Sequence, residues 1–188
     1  MTCLVAIKNK RGKIIVGADR RVSWGSSHYQ ESVYAKVRKD DGIIMAFCGD
    51  CHIGNLIVNI MKRPQVITDH KAYMYQILPK SIKKILLNQD IRTDKELVIP
   101  ENTEIIVAIE GCLYQLELVR TEDIKGLVKV DQLSIPYCTG SGGHVAWGSL
   151  LTTENLDMSS RERVRLAIEV SSRVVHSVDS KIDICVED

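Results

Sequence analysis

The sequence predicts an α+β fold with four layers, in which two antiparallel sheets lie between two pairs of helices (αββα). Three observations support this prediction. Short β-rich segments come in groups that are joined by turn signals, and helical apolar patterns follow two of these groups. Strands and helices do not alternate along the chain, as they would in a parallel sheet. Two packed sheets with helices on both outer faces would bury all of the apolar faces.

The first group of strands forms two hairpins. The predicted strands are residues 3–9 and 14–19, a short strand over residues 20–25, and residues 33–39 and 43–48. The turn between the first two strands contains Gly12, and the turn between the last two is Asp40-Asp41-Gly42, a strong hairpin signal.

The remaining elements follow from helical periodicity, caps and turns. A helix is predicted over residues 51–63. A second helix begins with a cap at Thr68-Asp69-His70 and runs to about Asn88, and Pro79 should kink or split it. The predicted elements after that are a hairpin over 104–110 and 112–119, a strand over 124–130, a helix that follows the turn Gly140–Gly143 and runs to about Leu151, a helix capped by Ser159 or Ser160 and ending near Val178, and a strand over 182–186.

Composition narrows the class of protein. The 188 residues predict one domain that spans 1–188, and 45% hydrophobic with 26% charged residues is typical of a soluble globular chain. A net charge of +1 gives no field that favours nucleic acid or a membrane surface. No apolar run reaches the ~18 residues of a membrane helix, and the start does not have the pattern of a signal peptide. Six scattered cysteines are therefore expected to be reduced thiols, in the cytoplasm.

The candidate nucleophile is Thr2. Removal of Met1 would leave a threonine with a free α-amine just before the first strand, so that one residue carries both a hydroxyl and a base. The unperturbed pKa of an α-amine is about 7.7–8.0, so much of it is neutral near pH 8. Cys3 lies one position further along the strand and is expected to point to the opposite side.

Three residues further along the chain could support Thr2. Asp19 ends the second strand, Lys36 lies in an otherwise apolar strand where it needs a partner, and Ser141 lies in the turn Gly140–Gly143. Each also has a plainer interpretation. Lys36 could be an exposed strand lysine, Asp19 a turn cap, and Ser141 an ordinary turn residue. The glycine-rich turn lacks the Lys-Ser/Thr of a phosphate-binding loop.

Four motifs in order carry a resemblance to a known family. They are Gly17-Ala18-Asp19, Lys36-Val-Arg-Lys39, Phe47-Cys-Gly-Asp50 and Thr139-Gly-Ser-Gly-Gly143. Together with Thr2, this combination resembles the proteasome β-subunit and HslV family of N-terminal-nucleophile hydrolases. The resemblance covers most of the chain.

The resemblance and the chemistry of the residues imply the same roles. Thr2 Oγ1 attacks a peptide carbonyl, and its own amine takes the proton through a water. Lys36 places positive charge beside Thr2 and disfavours the protonated amine, Asp19 orients Lys36, and Ser141 relays protons.

The resemblance also implies substrate-binding residues. The backbone N–H of Gly49 is expected to be the oxyanion donor, and Ser23 replaces the family's threonine that binds the substrate backbone. The floor of the S1 pocket is expected from Met45, Ala46 or Phe47, which favours apolar P1 side chains.

The chain departs from the proteasome pattern near the end of the last helix. Proteasome members have an aspartate where this chain has Val175. HslV-type members also lack that aspartate, so the chain resembles them more. This implies a monovalent cation, Na⁺ or K⁺, bound by backbone near Val175 and Val178. No other cofactor is required by the chemistry.

The predicted function is that of a threonine-type endopeptidase subunit. The resemblance implies homo-oligomeric stacked rings, unfolded polypeptide substrates and a partner ring ATPase that unfolds them. Two alternatives stay open. One is a catalytically silent scaffold subunit that keeps Met1, and the other is a small-molecule amidase of the same superfamily.

Overall fold

The computed structural model describes residues 2–24, 28–62, 64, 67–88, 92–93, 96–97, 103–119 and 127–188. The strands there are β1 Leu4–Lys8, β2 Ile14–Asp19, β3 Arg21–Trp24, β4 His28–Glu31, β5 Val37–Asp40, β6 Ile43–Cys48, β7 Arg92–Thr93, β8 Glu96–Leu97, β9 Glu104–Ile109, β10 Cys112–Val119, β11 Leu127–Leu133, β12 Tyr137–Thr139 and β13 Ile182–Val186. The α-helices are α1 Cys51–Asn55, α2 His70–Ala72, α3 Leu78–Asn88, α4 Gly143–Thr152 and α5 Ser160–Val174, and π-helical turns over Leu56–Ile60 and Tyr73–Ile77 continue α1 and α2.

Two antiparallel sheets dominate the fold. The first sheet has the strand order β12-β1-β2-β13, and the second has the order β11-β10-β9-β6-β5. Two hairpins of the second sheet turn through two residues, Asp41-Gly42 and Glu110-Gly111, all with positive φ. Both hairpins are confirmed. Glycine at the second turn position readily adopts the left-handed conformation that these turns require, and aspartate tolerates it at the first position of the Asp41-Gly42 turn.

Three apolar clusters surround the sheets. One contains inward residues of both sheets, such as Leu4, Val16, Ile44 and Ile106. A second joins the other face of the first sheet to α4 and α5, through Val5, Ile15, Leu150, Val164 and Ile168. A third joins the other face of the second sheet to the helices between Cys51 and Asn88, through Met45, Phe47, Ile53, Leu78 and Val107. Both sheets are therefore covered on both faces over much of their area.

The prediction of a strand over residues 33–39 is wrong in its first half. Strand β5 begins only at Val37, and residues 33–36 bend. The Ser32 hydroxyl accepts a hydrogen bond from the Tyr34 N–H at 3.2 Å and donates one to the Tyr34 carbonyl at 2.7 Å. This local side-chain bonding replaces a strand ladder. Lys36 consequently lies just before the strand and not in its middle.

The remaining strands differ in some details from the sequence prediction. Strands β4, β7, β8 and β12 have no counterpart in the sequence prediction, because all four are short. The predicted strand over 124–130 is found as β11, which runs on to Leu133. Residues 124–126 of that prediction lie outside the described part.

The helices are found where they were predicted, with different ends. The first helical run ends at Ile60 rather than at residue 63. Pro79 does not split the second helix. It lies in the first turn of α3, where the helix changes from π to α form, so the missing N–H is accommodated. Of the two serines predicted as the cap of the last helix, Ser159 is the one that caps α5, in a reciprocal pair with Glu162. None of the described helices is long and apolar enough to cross a membrane.

The end of α5 is also corrected. The helix stops at Val174, and Val175 has φ −112° and ψ 106°. Residues 175–178 form a turn in which the Val178 N–H donates to the Val175 carbonyl at 3.0 Å. This turn buries Val178 against α5 and the first sheet. A helix through residue 178 would carry Val178 away from that cluster.

Candidate active site

Thr2 lies just before β1, a central strand of the first sheet, and is 2% exposed. Its hydroxyl Oγ1 accepts a hydrogen bond from Lys36 Nζ at 3.0 Å. A hydroxyl that faces an ammonium group is stabilised in its alkoxide-like form, because the neighbouring positive charge favours the anion. The structure therefore brings together the predicted nucleophile and the predicted lysine.

Asp19 links this lysine to the backbone around it. It ends β2 and is fully buried, and its Oδ1 accepts from Lys36 Nζ at 3.2 Å and from the Cys3 N–H at 2.8 Å. Its Oδ2 accepts from the Arg21 N–H at 2.8 Å and from the Asp179 N–H at 3.2 Å. Four donors fix the carboxylate, and one of them carries the charge that balances it. The plainer interpretation of Asp19 as a turn cap does not account for this contact with Lys36.

Lys36 is 1% exposed and sits among apolar neighbours. Its backbone carbonyl accepts from the Phe47 N–H at 3.0 Å, which ties the bend before β5 to β6. A buried ammonium is costly unless it is paired, and here Asp19 pairs with it. The interpretation of Lys36 as an exposed strand lysine is wrong.

The glycine-rich turn wraps around the carbonyl of Thr2. The Gly142 N–H donates to that oxygen at 3.2 Å, and the Ser141 hydroxyl does so at 3.4 Å. Ser141 Oγ also lies 2.9 Å from Ser177 Oγ. Sequence reasoning missed Ser177, because it contacts the site only through the turn that ends α5, and no local pattern signals that contact.

A cavity of about 330 Å³ opens beside Thr2. It is lined by Thr2, Cys48, Gly49, Thr103, Glu104, Glu117, Thr139 and Gly140. The predicted oxyanion donor, Gly49, is therefore next to the nucleophile. The two glutamates were not predicted as site residues, because they lie in a strand pair that looks ordinary in sequence.

The predicted S1 residues do not line this cavity. Met45 and Phe47 point into the cluster beneath the helices, and Ala46 points into the cluster between the sheets. All three are at most 1% exposed. Strand β6 is covered on both faces, so these three side chains belong to core clusters in the described part of the chain.

Two further predictions concern the rim of the site. Ser23 lies in β3, opposite Tyr29, and its side chain is outside the described part. A monovalent cation was expected near Val175 and Val178. The Val175 carbonyl accepts a hydrogen bond from the Val178 N–H, and the carbonyl of the neighbouring His176 accepts one from the Arg21 guanidinium. The guanidinium of Arg21 places positive charge beside this turn, which disfavours a monovalent cation there.

Cys3 is not a competing nucleophile. Its thiol is fully buried in the cluster with α4 and α5, and burial raises its pKa to about 12. The nucleophilic form of cysteine is the thiolate, which is scarce at neutral pH with such a pKa.

We expect Gly140→Ala to destabilise the protein by roughly 3–4 kcal/mol and to displace Thr2, as measured by denaturant unfolding and turnover. Gly140 has φ +82°, and a Cβ there would collide with the Thr2 carbonyl oxygen. The matched control is Gly12→Ala. Gly12 has φ +79° but nothing within 4 Å of a Cβ, so we expect only the backbone cost of about 1–2 kcal/mol. Equal losses of unfolding free energy in the two variants would contradict the close approach of Gly140 to the Thr2 carbonyl.

No protein-family model and no curated protein sequence matches the chain. Solved structures do match it over its full length. BPH from Thiobacillus denitrificans in complex with epoxomicin has a TM-score of 0.68 at 15% identity, covering 100% of this chain and 98% of that one. HslV from Trypanosoma brucei has a TM-score of 0.62 at 18% identity and covers 100% of both chains.

Anbu, described as an ancestral β-subunit, from Yersinia bercovieri gives a TM-score of 0.64 at 12% identity. This match covers 100% of the chain and 81% of Anbu. At these identities the likeness concerns the fold. The chain has the fold of HslV and Anbu, and its resemblance to the proteasome β-subunit and HslV family is confirmed at that level.

Proposed function

We propose that this chain is a threonine-type endopeptidase subunit whose nucleophile is Thr2, exposed as the N-terminal residue when the Met1–Thr2 bond is cleaved. The observation that supports it most directly is the 3.0 Å contact between Lys36 Nζ and Thr2 Oγ1, in a buried site that opens into a cavity. A core lysine that pairs only with Asp19 would not need to face a hydroxyl at a cavity wall.

The proposed reaction has two halves. Thr2 Oγ1 attacks the peptide carbonyl while its proton passes, through a water, to the α-amine of Thr2. The Gly49 N–H stabilises the oxyanion, and a missing donor of this kind typically costs about 3 kcal/mol in the transition state. The protonated amine then gives its proton to the leaving amine. A water hydrolyses the resulting ester by the same route and regenerates Thr2.

Lys36, Asp19, Ser141 and Ser177 support these steps. Lys36 favours the neutral amine and the anionic oxygen, because its charge repels a second cation and attracts an anion. Asp19 fixes the position of Lys36. The two serine hydroxyls, 2.9 Å apart, offer a proton path beside the backbone of Thr2.

The proposed subunit is one domain over residues 1–188 in four layers, and it acts in homo-oligomeric stacked rings in the cytoplasm. The fold likeness supports this assembly, together with an exposed apolar pair on α4. Trp147 and Leu151, one turn apart, are 40% and 56% exposed. Unfolded polypeptides would be the substrates, delivered by a ring ATPase.

The N-terminal residue of the purified protein is the decisive measurement. We expect the intact mass to show loss of Met1 and the cleavage rate of fluorogenic peptides to rise with the fraction of chains that begin at Thr2. Epoxomicin, which BPH binds, is expected to bind and inhibit only those chains. Retained Met1 on an assembled, inactive ring would support the scaffold alternative. Cleavage of small amides but not of peptides would support the amidase.

A further inference from the structure

A row of polar side chains crosses the second sheet at the cavity. Cys48 of β6 lies opposite Glu104 of β9, Glu104 opposite Glu117 of β10, and Glu117 opposite Lys129 of β11. Glu104 lies two residues from Ile106 and therefore on the same face of β9, and Ile106 lies in the cluster between the sheets, so this row faces the first sheet. Thr2 lies across the cavity from it. The wall that faces the proposed nucleophile is therefore acidic.

The carboxylate of Glu104 is firmly oriented. Its Oε2 accepts from the Thr139 hydroxyl at 2.7 Å and from the Cys48 thiol at 3.2 Å, and its Oε1 accepts from the Gln115 amide at 2.8 Å. Three neutral donors fix the group without cancelling its charge. The charge also acts on the neighbouring thiol. Burial and, after it, the charge of Glu104 are the largest causes that raise the pKa of Cys48 to about 12.

Neither carboxylate forms an ion pair with a lysine or arginine in the part of the chain that the structure describes, although the hydrogen bond to Asp131 and, to a lesser extent, the charge of Glu117 raise the pKa of Lys129, which lies opposite Glu117. Like charges directly opposite on a sheet are destabilising. Lys129, the next residue in the row, forms an ion pair with Asp131, with 2.6 Å between Nζ and Oδ2. Lys36, on the Thr2 side, is paired with Asp19. No described Lys or Arg forms an ion pair with Glu104 or Glu117, so the cavity carries an excess of negative charge.

We propose that this cavity receives the side chain of a lysine or arginine of the substrate polypeptide, with Glu104 and Glu117 as the specificity-determining residues. The proposal rests on the proposed function, since the cavity is a substrate pocket only if Thr2 is the nucleophile. About 330 Å³ is enough for one long side chain. Among the described residues, the Oε1 atom of Glu104 accepts only one hydrogen bond, so it can accept a second one from an ammonium or guanidinium group, and the exposed carboxylate of Glu117 can accept others. This basic preference differs from the apolar P1 preference that the family resemblance implies.

A binding experiment tests the pocket without turnover. In the Thr2→Ala protein, acetyl-Ala-Ala-Arg-amide is compared with the same peptide carrying citrulline, the neutral isostere of arginine, by titration calorimetry. We expect the arginine peptide to bind about tenfold more tightly, and the advantage to shrink as salt is raised. The double variant Glu104→Gln/Glu117→Gln should bind both peptides equally. The control Glu154→Gln removes an exposed charge outside the cavity and should keep the preference.

Turnover then separates the two proposals. In wild-type protein, a fluorogenic peptide with arginine before the scissile bond should have a kcat/KM at least about tenfold above its leucine counterpart, and the double glutamine variant should reverse that order. Equal binding of the arginine and citrulline peptides would overturn the basic pocket, whether or not peptides are cleaved. An intact arginine preference with no cleavage by protein that begins at Thr2 would overturn the proposed function alone.

Discussion

Thr2→Ala should abolish peptide cleavage, with kcat lowered at least about 10⁴-fold, while the protein keeps its fold and its assembly. The substitution removes the hydroxyl that attacks the carbonyl, and no other described group at the cavity can replace it. Lys36 keeps its pairing with Asp19, so the folding cost is limited to one charge-assisted hydrogen bond, about 1.5–3 kcal/mol. Activity is measured with a fluorogenic peptide and the fold by circular dichroism.

Thr2→Ser is the matched variant for this experiment. It keeps the hydroxyl and the contact with Lys36 Nζ and loses only a methyl group, so kcat should stay within about tenfold of the wild type. Cys3→Ala should also stay active, because the Cys3 thiol is buried and has a raised pKa. Full activity in Thr2→Ala would show that Thr2 is not the nucleophile.

The parts of the fold that depend on local chemistry could be predicted from the sequence. Two-residue turns with φ > 0 need Gly or a tolerant acidic residue, and Asp41-Gly42 and Glu110-Gly111 supply them. Ser159 with Glu162 three residues later marks the start of α5, because each side chain accepts a hydrogen bond from a backbone N–H that the helix itself leaves free. These signals lie within a few residues of the feature that they determine.

The pocket could not be predicted in this way. The alternation of burial that usually distinguishes the two faces of a strand is absent in β6, where all six residues are buried. The sequence pattern of β6 therefore does not distinguish core residues from pocket residues among Met45, Ala46 and Phe47. Glu104 and Glu117 meet only through strand register, and Ser141 meets Ser177 only because α5 ends early. Contacts of this kind depend on the assembled fold, which periodicity does not encode.

Lys36→Met should both destabilise the protein and inactivate it. Methionine fills a similar volume but leaves the Asp19 carboxylate buried without its cation, which typically costs about 3–5 kcal/mol. The three backbone N–H donors to Asp19 remain and place the loss nearer the lower value. The free energy of unfolding is measured by denaturant at a fixed protein concentration, since assembly would shift it. Lys39→Met is the control, because its ion pair with the exposed Asp188 contributes at most about 1 kcal/mol.

The double variant Asp19→Asn/Lys36→Met separates the two effects of Lys36. It removes both buried charges, so the cost of an unpaired carboxylate disappears. The asparagine NH2 would face a backbone N–H that now donates to Asp19, so only part of the lost stability should return. Activity should not return, because the hydroxyl of Thr2 still lacks the ammonium that favours its anionic form. A stable and active double variant would mean that Lys36 only balances Asp19. A stable but inactive one would assign Lys36 a role in the reaction that is separate from its role in the core.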